Sequence, residues 1–134
     1  MEFRLKNQLK EIQLLAEAVE LYGEENGIPA KTLFQVNLAL DELLTNTISY
    51  GYPEGGEHEI LVSNILTGER ELRIEIHDDG KVFNPLEAEE PDTSQGIDER
   101  PVGGLGIHLV RQMMDEIEYR REGKQNILVM KKKF

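Results

Sequence analysis

The sequence contains no cysteine and no tryptophan, and aromatic residues make up only 6% of its 134 residues. The absence of cysteine excludes disulfides, thiolate metal sites and cysteine nucleophiles. The three histidines show no metal-ligand spacing, which favours structural roles. No segment approaches the roughly 18 consecutive apolar residues of a membrane span, and residues 1–6 lack the apolar core of a secretory signal. These absences predict a cytoplasmic protein without membrane contact.

Positive charge is also scarce. The chain carries 15 Lys and Arg against 26 Asp and Glu, which gives a formal net charge of -11. Such a surface repels a nucleic-acid backbone, and the one basic cluster is residues 131–133 near the C-terminus. We therefore expect no nucleic-acid partner, and we expect steering toward a basic protein surface.

The length, together with 39% hydrophobic and 31% charged residues, predicts one globular domain over residues 1–134. The first predicted elements are a strand around residues 3–5, a helix that starts at Leu9 and ends near Gly23 to Gly27, and a helix from Ala30 to about Tyr50. They are followed by strands from Ile60 and over Leu72–Ile76, a helix that opens at Gly103, and strands at 117–121 and 126–130. This order predicts an α/β class, as an α+β two-layer sandwich with helices on one face of a mixed, mostly antiparallel sheet.

Residues 84–102 lack any periodic pattern and are rich in Pro, Glu, Asp, Ser and Gly. The segment is too long for a routine connection. We interpret it either as a functional lid or as a disordered segment.

Glu42 and Asn46 lie four residues apart on the second predicted helix, so their side chains share a face, and Ser49 follows one turn later. An Asn oxygen can ligate Mg²⁺, which prefers oxygen ligands and keeps several waters. A carboxylate one turn away can accept a proton from an attacking hydroxyl, which makes Glu42 a candidate general base. The alternative is a solvated face of an amphipathic helix, and the spacing alone favours that alternative.

Asp78-Asp79-Gly80 directly follows the strand Leu72–Ile76, where the chain must leave the sheet. Asp-Gly after a strand is usually a turn, because Gly supplies a positive φ and Asp bonds to local backbone. A buried carboxylate at such a strand end can also accept a hydrogen bond from the exocyclic amine of adenine. Taken alone, the motif favours the turn.

The glycine cluster at residues 103–106 opens the third predicted helix. Glycines there let backbone amides approach an anion, and the helix N-terminus presents free N–H groups with a favourable dipole. The cluster is not a P-loop, since neither Gly80-Lys81 nor Gly123-Lys124 continues with the required Ser or Thr. Alone it is a weak indication of a phosphate site.

The three motifs occur together in one small domain, and in this arrangement the chain resembles the GHKL superfamily of ATPases over essentially its whole length. The run from Leu40 to Tyr52 is similar to the N-box, Ile76 to Gly80 to the adenine box, and Gly104 to Val110 to the second glycine box. Within the superfamily the chain resembles the stand-alone anti-sigma factor and serine-protein kinase branch. The resemblance implies a Bergerat-type fold with three helices on one face of the sheet and an ATP lid over about 84–102.

The resemblance also implies a role for each matched residue. Glu42 becomes the catalytic base, Asn46 the Mg²⁺ ligand and Asp78 the adenine acceptor. The implied ATP-binding positions are Asn46, Asp78, Gly80, Gly104, Leu105, Gly106 and Ile107.

The sequence departs from the family pattern at two places. Val82 stands where the adenine box commonly continues with a second glycine, so the family pattern does not define the shape of that pocket wall. The predicted lid carries six acidic residues against the single Arg100, so it repels a triphosphate unless Mg²⁺ and backbone amides dominate locally. We therefore expect weak lid closure and slow turnover.

By this resemblance the expected activity is transfer of a phosphoryl group from Mg·ATP to a serine or threonine of a partner protein. The implied substrate is a STAS-type antagonist of an anti-sigma factor, the implied second partner is a sigma factor, and such proteins pair as homodimers. One alternative is a nucleotide-dependent binding switch that transfers no phosphate. The catalytic part of a sensor histidine kinase is a lower-ranked alternative, because no phosphoacceptor helix or membrane segment is evident in the sequence.

Overall fold

A computed structural model describes residues 1–68, 70–87 and 104–134, and at residues 104 and 105 it describes the backbone alone. In chain order the elements are β1 (Glu2–Lys6), α1 (Glu11–Glu25), α2 (Ala30–Tyr50), β2 (Glu59–Leu66), β3 (Glu71–Asp78), a 3-10 turn (Pro85–Glu87), α3 (Gly104–Met113), β4 (Glu116–Glu122) and β5 (Gln125–Lys133). Within these residues, no helix combines the length and the apolar content needed to cross a bilayer.

The five strands form one sheet in the order β1-β2-β3-β5-β4, and each neighbouring pair is antiparallel. The sheet and the three helices confirm the predicted two-layer α+β class, although the pairing is antiparallel throughout the described residues rather than mixed. β5 therefore lies between β3 and β4, which brings the last strand of the chain beside the end of β3.

One face of the sheet packs against the helices and forms the core. On β3 the side chains of Leu72, Ile74 and Ile76 are buried in that core. Because side chains alternate along a strand, the next residue on this face is Asp78. The register places Asn126 of β5 directly opposite Asp78. The row of core residues on both strands thus ends in two buried polar side chains.

The start of α1 differs from the prediction. The sequence pattern places Leu9 at the beginning of the apolar stripe of the first helix, but α1 begins at Glu11 and Leu9 is 56% exposed. A turn precedes the helix, in which the backbone N–H of Gln8 donates to the carbonyl of Lys6 at 2.7 Å. The Glu11 carboxylate then accepts from the Lys6 N–H at 3.1 Å. Leu9 therefore lies outside the regular helix and away from the core.

The predicted lid falls mostly on residues that the structure does not describe. Its first residues, 84–87, are described, and Pro85–Glu87 form the 3-10 turn. Asn84 precedes this turn, and its Oδ1 accepts from the Leu86 N–H at 2.9 Å. The prediction for residues 88–102 lies outside the described residues.

Candidate functional site

A small pocket, partly open to solvent, lies between α2 and the ends of β3, β4 and β5. It combines apolar walls with a few polar side chains, which is the usual composition of a small-molecule site. Its lining residues are Leu43, Asn46, Thr47, Ile76, Asp78, Phe83, Pro85, Tyr119, Asn126 and Leu128. Two of the residues predicted from the sequence to bind nucleotide, Asn46 and Asp78, therefore line the same pocket.

Asp78 is the buried carboxylate of this pocket, with 7% of its surface exposed. Its Oδ1 accepts two hydrogen bonds of 2.9 Å, from the backbone N–H of Gly80 and from Nδ2 of Asn126. Burial raises the pKa of the Asp78 carboxyl and the charge of Asp79 adds to the increase, while the two hydrogen bonds and Arg121 oppose it. Because both bonds end on Oδ1, Oδ2 is left for a donor from a ligand.

Gly80 is required by close packing and not by its backbone angles. A Cβ at this position would lie 2.9 Å from the carbonyl oxygen of Gly51 and 3.0 Å from Asp78 Oδ1. The Lys81 N–H donates to the same Gly51 oxygen at 2.7 Å. Gly80 is not among the glycines with positive φ, so that part of the turn interpretation is wrong. The glycine lets the turn after β3 lie directly on the end of α2.

Asn46 is 9% exposed, and its Nδ2 is buried without a hydrogen-bond partner among the described residues. Such an amide costs about 1–3 kcal/mol and is uncommon in a folded protein. Ser49, one turn later, is exposed. The solvated-face alternative is therefore wrong for Asn46 and correct for Ser49. The unpartnered amide in the pocket wall is what a binding site leaves for a ligand, an ion or a water.

Glu42 contacts α3 at Gly106. A Cβ at residue 106 would lie 1.8 Å from Oε1 and 2.2 Å from Cγ of Glu42. The Glu42 side chain therefore occupies the space that any other residue at 106 would fill. This contact places a partly exposed carboxylate beside the first turn of α3, instead of on a freely solvated helix face.

The second glycine motif forms the first turn of α3, which begins at Gly104. The first N–H groups of a helix have no partner within the helix, so this turn suits an anion. The side chain of Ile107 lies in the hydrophobic core and is not available to a ligand. The side chain of Leu105 and all of Gly103 lie outside what the structure describes.

Position 82, where the sequence departs from the family pattern, lies outside the pocket wall. The Val82 side chain is 60% exposed, and the pocket is lined by the next residue, Phe83. The Val82 side chain therefore does not form part of this wall.

Sequence reasoning missed the strands β4 and β5 as part of the site. Tyr119 and Asn126 line the pocket, and Arg121 donates to the Gly80 carbonyl at 3.0 Å. One signal was present in the sequence. Asn126 occupies the same alternating row as Leu128 and Met130, and a polar residue in a buried row needs a partner.

Comparison with known proteins agrees with this geometry. The histidine kinase-like ATPase domain matches residues 4–132 of the chain. The chain belongs to this family. Membership of the histidine kinase-like ATPase family implies that the domain uses ATP.

Relatives of this chain include a serine/threonine-protein kinase and an anti-sigma factor. The serine/threonine-protein kinase BtrW of Bordetella bronchiseptica is 30% identical over 101 residues, which cover 75% of this chain and 70% of that protein. The anti-sigma F factor of Clostridium acetobutylicum is 32% identical over 107 residues, which cover 74% of this chain and 68% of that protein. These two similarities confirm the anti-sigma factor and serine-protein kinase branch.

A solved structure shows the same fold. The histidine kinase domain of a blue-light activated histidine kinase from Erythrobacter litoralis superposes with a TM-score of 0.59 over 93% of this chain, at 17% identity. The superposition covers 60% of that solved chain. At this identity the likeness concerns the fold alone.

Proposed function

We propose that this protein is a Mg·ATP-dependent serine/threonine kinase and an anti-sigma-type regulator of a partner protein. The observation that carries the proposal is the contact of the Glu42 carboxylate with Gly106 at the first turn of α3. The contact places the candidate general base, on α2, next to the candidate phosphate site, on α3. The pocket at Asp78 supplies the third part, a site for the adenine base.

At the adenine end, Oδ2 of Asp78 accepts the exocyclic amine of the base. The apolar side chains of Leu43, Ile76 and Leu128 line the same pocket and suit the faces of a planar ring. The carboxyl must be ionised for this role, and the hydrogen bonds on Oδ1 favour the ionised form against the effect of burial.

At the phosphate end, Glu42 accepts the proton of the serine or threonine hydroxyl as its oxygen attacks the γ-phosphorus. The bond between the γ-phosphorus and its bridging oxygen breaks, and ADP leaves. General-base catalysis of this kind contributes about 10² to 10⁴ in rate. The free N–H groups at the start of α3 hold phosphate oxygens.

Asn46 fits a Mg²⁺ ion that is otherwise held by phosphates and water. Its side-chain amide lies in the pocket wall, and its Oδ1 is a ligand of the kind Mg²⁺ prefers. The unpartnered Nδ2 can at the same time donate to a phosphate oxygen. When bound, Mg²⁺ neutralises charge on the phosphates. Asn46 on α2 would hold the ion one turn from Glu42.

The proposed partners follow from the relatives and from charge. By analogy with relatives named anti-sigma F factor and serine-protein kinase, the substrate is a STAS-domain antagonist protein and the second partner is a sigma factor. The net charge of -11 favours encounter with a basic partner surface. By the same analogy we propose a cytoplasmic protein that forms homodimers.

The direct test is to incubate the protein with γ-labelled ATP, Mg²⁺ and a STAS-domain protein encoded nearby, and to measure labelled substrate. We expect label on a serine or threonine, and a loss of about 10² to 10⁴ in rate for Glu42→Ala. Asp41→Ala is the matched control, because Asp41 is the exposed neighbour of Glu42 on the same helix. It should transfer at the normal rate.

A second measurement, ATP affinity, separates the kinase from a binding switch. Glu42→Ala should keep the affinity for ATP, since Glu42 does not line the base pocket. Equal transfer by wild type and Glu42→Ala would rule out the role of Glu42. Tight ATP binding by the wild type without any labelled protein would favour the nucleotide-dependent switch.

A further inference from the structure

Asn126 is the most fully bonded polar side chain of the pocket. It is 6% exposed, and its Nδ2 donates to Asp78 Oδ1 and to the carbonyl of Lys81, both at 2.9 Å. Its Oδ1 accepts from the hydroxyl of Tyr119 at 2.5 Å. The carbonyl of Gly80 is a longer contact of Nδ2 at 3.4 Å. Asn126 therefore links β5, β4 and the turn after β3.

The surroundings allow only one orientation of the Asn126 amide. Every group near Nδ2 is an acceptor, namely the carboxylate of Asp78 and the carbonyls of Gly80 and Lys81. A flipped amide would place Oδ1 against all three of these oxygens and would leave them without a donor. In the orientation that these three oxygens impose, the Tyr119 hydroxyl donates to Oδ1. Tyr119 thus anchors the far end of the amide, so that both ends of Asn126 are bonded.

This orientation fixes how Asp78 meets a ligand. Oδ1 of Asp78 receives donors from Gly80 and Asn126, so the carboxylate cannot rotate without losing two hydrogen bonds. Oδ2 is then presented to the pocket as an acceptor and never as a donor while the group is ionised. A base with an amine at this point gains a hydrogen bond, whereas a base with a carbonyl or hydrogen there does not.

We propose that Asn126 is a positioning residue that makes Asp78 select a purine with an exocyclic amine, and that Tyr119 holds Asn126 in the orientation this requires. The inference rests on the proposed binding of adenine at Asp78. It extends that proposal to the strands β4 and β5, whose residues Tyr119 and Asn126 hold Asp78 in place. The atom that contacts the amine of the base is still Oδ2 of Asp78. Because Asn126 acts through Asp78, its substitution should change the preference for one base over another and should leave the binding of the phosphates unchanged.

The test compares ATP with purine riboside triphosphate, which lacks the 6-amino group. Affinities are measured by calorimetry with the full chain, for wild type, Asn126→Leu, Tyr119→Phe and the control Asn7→Asp. Asn7 is a suitable control because both ends of its amide are also bonded and it does not line the pocket. Its Nδ2 donates to the Gly56 carbonyl at 3.0 Å, and its Oδ1 accepts from the His58 N–H at 2.9 Å.

We expect the wild type to bind ATP about tenfold or more tightly than the analogue, since a hydrogen bond to a charged acceptor contributes about 1.5–3 kcal/mol. Asn126→Leu should bring this ratio close to one, mainly through weaker ATP binding. Tyr119→Phe should lower the ratio by a smaller factor, and Asn7→Asp should keep it. Tyr119→Phe provides the same comparison if Asn126→Leu does not fold.

Several outcomes would overturn the proposal. Equal weakening of both nucleotides by Asn126→Leu would mean that Asn126 supports the fold in general. An unchanged ratio in both variants would mean that Asp78 is positioned without them. If the wild type binds both nucleotides equally, the inference fails while nucleotide binding stands. If it binds neither, the proposed function fails and the inference fails with it.

Discussion

The two ends of the candidate site differ in how far the protein itself completes them. At the base end, Asp78 and Asn126 are buried and bonded to each other and to the turn after β3. At the phosphate end, the Nδ2 of Asn46 has no partner among the described residues, and Glu42 is held by packing against Gly106.

The difference indicates which part of the site is ready before a nucleotide arrives. The base end offsets its desolvation cost with internal hydrogen bonds, so it keeps its shape without a ligand. The phosphate end keeps an unsatisfied donor, Nδ2 of Asn46, which a phosphate oxygen or a water can satisfy. We infer that base recognition is preorganised, and that the catalytic end is completed when Mg·ATP binds.

The largest effect is expected for Gly106→Ala at the phosphate end. The new Cβ would overlap the Glu42 side chain at distances of 1.8 to 2.2 Å, including its Cγ, so Glu42 must leave its position. We expect phosphotransfer to fall by about 10² or more, comparable with Glu42→Ala. Combining both substitutions should add little to either, because they remove the same interaction. A rate near that of wild type, measured with labelled ATP, would contradict the assigned contact.

At the base end, Asp78→Asn should change which base is preferred. The substituted amide can keep an oxygen facing Gly80 and Asn126, which turns its NH₂ toward the pocket in place of Oδ2. The amine of adenine then meets a donor, and we expect ATP affinity to fall by about tenfold to a hundredfold. A base with a carbonyl at that position should bind better to the variant than to wild type. Calorimetry with ATP and inosine triphosphate would measure both changes, and parallel losses would argue against a fixed orientation.

The sequence allows the residues of short local motifs to be predicted, but not the contacts between distant residues at either end of the site. The residues Glu42, Asn46 and Asp78 were found because they belong to short local motifs, and local spacing also gave α2 its bounds, Ala30–Tyr50. Asn126 is 48 residues from Asp78 and becomes its neighbour only through the β3–β5 pairing. The contact of Glu42 with Gly106 likewise depends on how α2 and α3 pack. Such long-range contacts follow from topology, which sequence periodicity alone does not supply.

A further test concerns the stability of the phosphate end without ligand. Asn46→Leu replaces the buried, unpartnered amide with an apolar side chain of similar size. We expect the free energy of unfolding of the nucleotide-free protein to stay equal or to rise, by about 1 kcal/mol, since no internal hydrogen bond of Nδ2 is lost. The affinity for Mg·ATP should fall in the same variant. Urea unfolding and calorimetry would check this pair of changes, and a large loss of stability would show that the amide is satisfied in the folded protein.

The matched substitution at the base end should behave in the opposite way. Asn126→Leu removes the donor to Asp78 and Lys81 and leaves a buried carboxylate with one fewer hydrogen bond. We expect it to lower the free energy of unfolding by about 1–3 kcal/mol. If Asn46→Leu and Asn126→Leu changed the free energy of unfolding of the nucleotide-free protein by similar amounts, the two ends of the site would not differ in how far internal hydrogen bonds complete them.

The smallest effect is the pH dependence of stability at Asp78. Because burial raises the pKa of its carboxyl in the folded protein, its contribution to stability is full below the ordinary pKa of Asp, about 3.9, and is lost as the pH rises through the folded value. The Asp78→Asn variant has no carboxyl to titrate at this position. Its free energy of unfolding relative to wild type should therefore increase as the pH rises from the ordinary pKa of Asp to the folded pKa, and should stay constant above that. Urea unfolding of both proteins from about pH 4 to neutral pH would measure the difference.

Glu75 on the opposite face of β3 provides a control of opposite sign. Although burial alone would raise its pKa, hydrogen bonds from His77 and Arg73 lower it. Its stabilising contribution is therefore present above the ordinary pKa of Glu and is lost as the pH falls through the folded value. Glu75→Gln should be less stable than wild type near neutral pH and should approach it in acid. If both variants changed with pH in the same direction, the buried state of Asp78 would not be the cause, and the base end would lose its distinct electrostatic character.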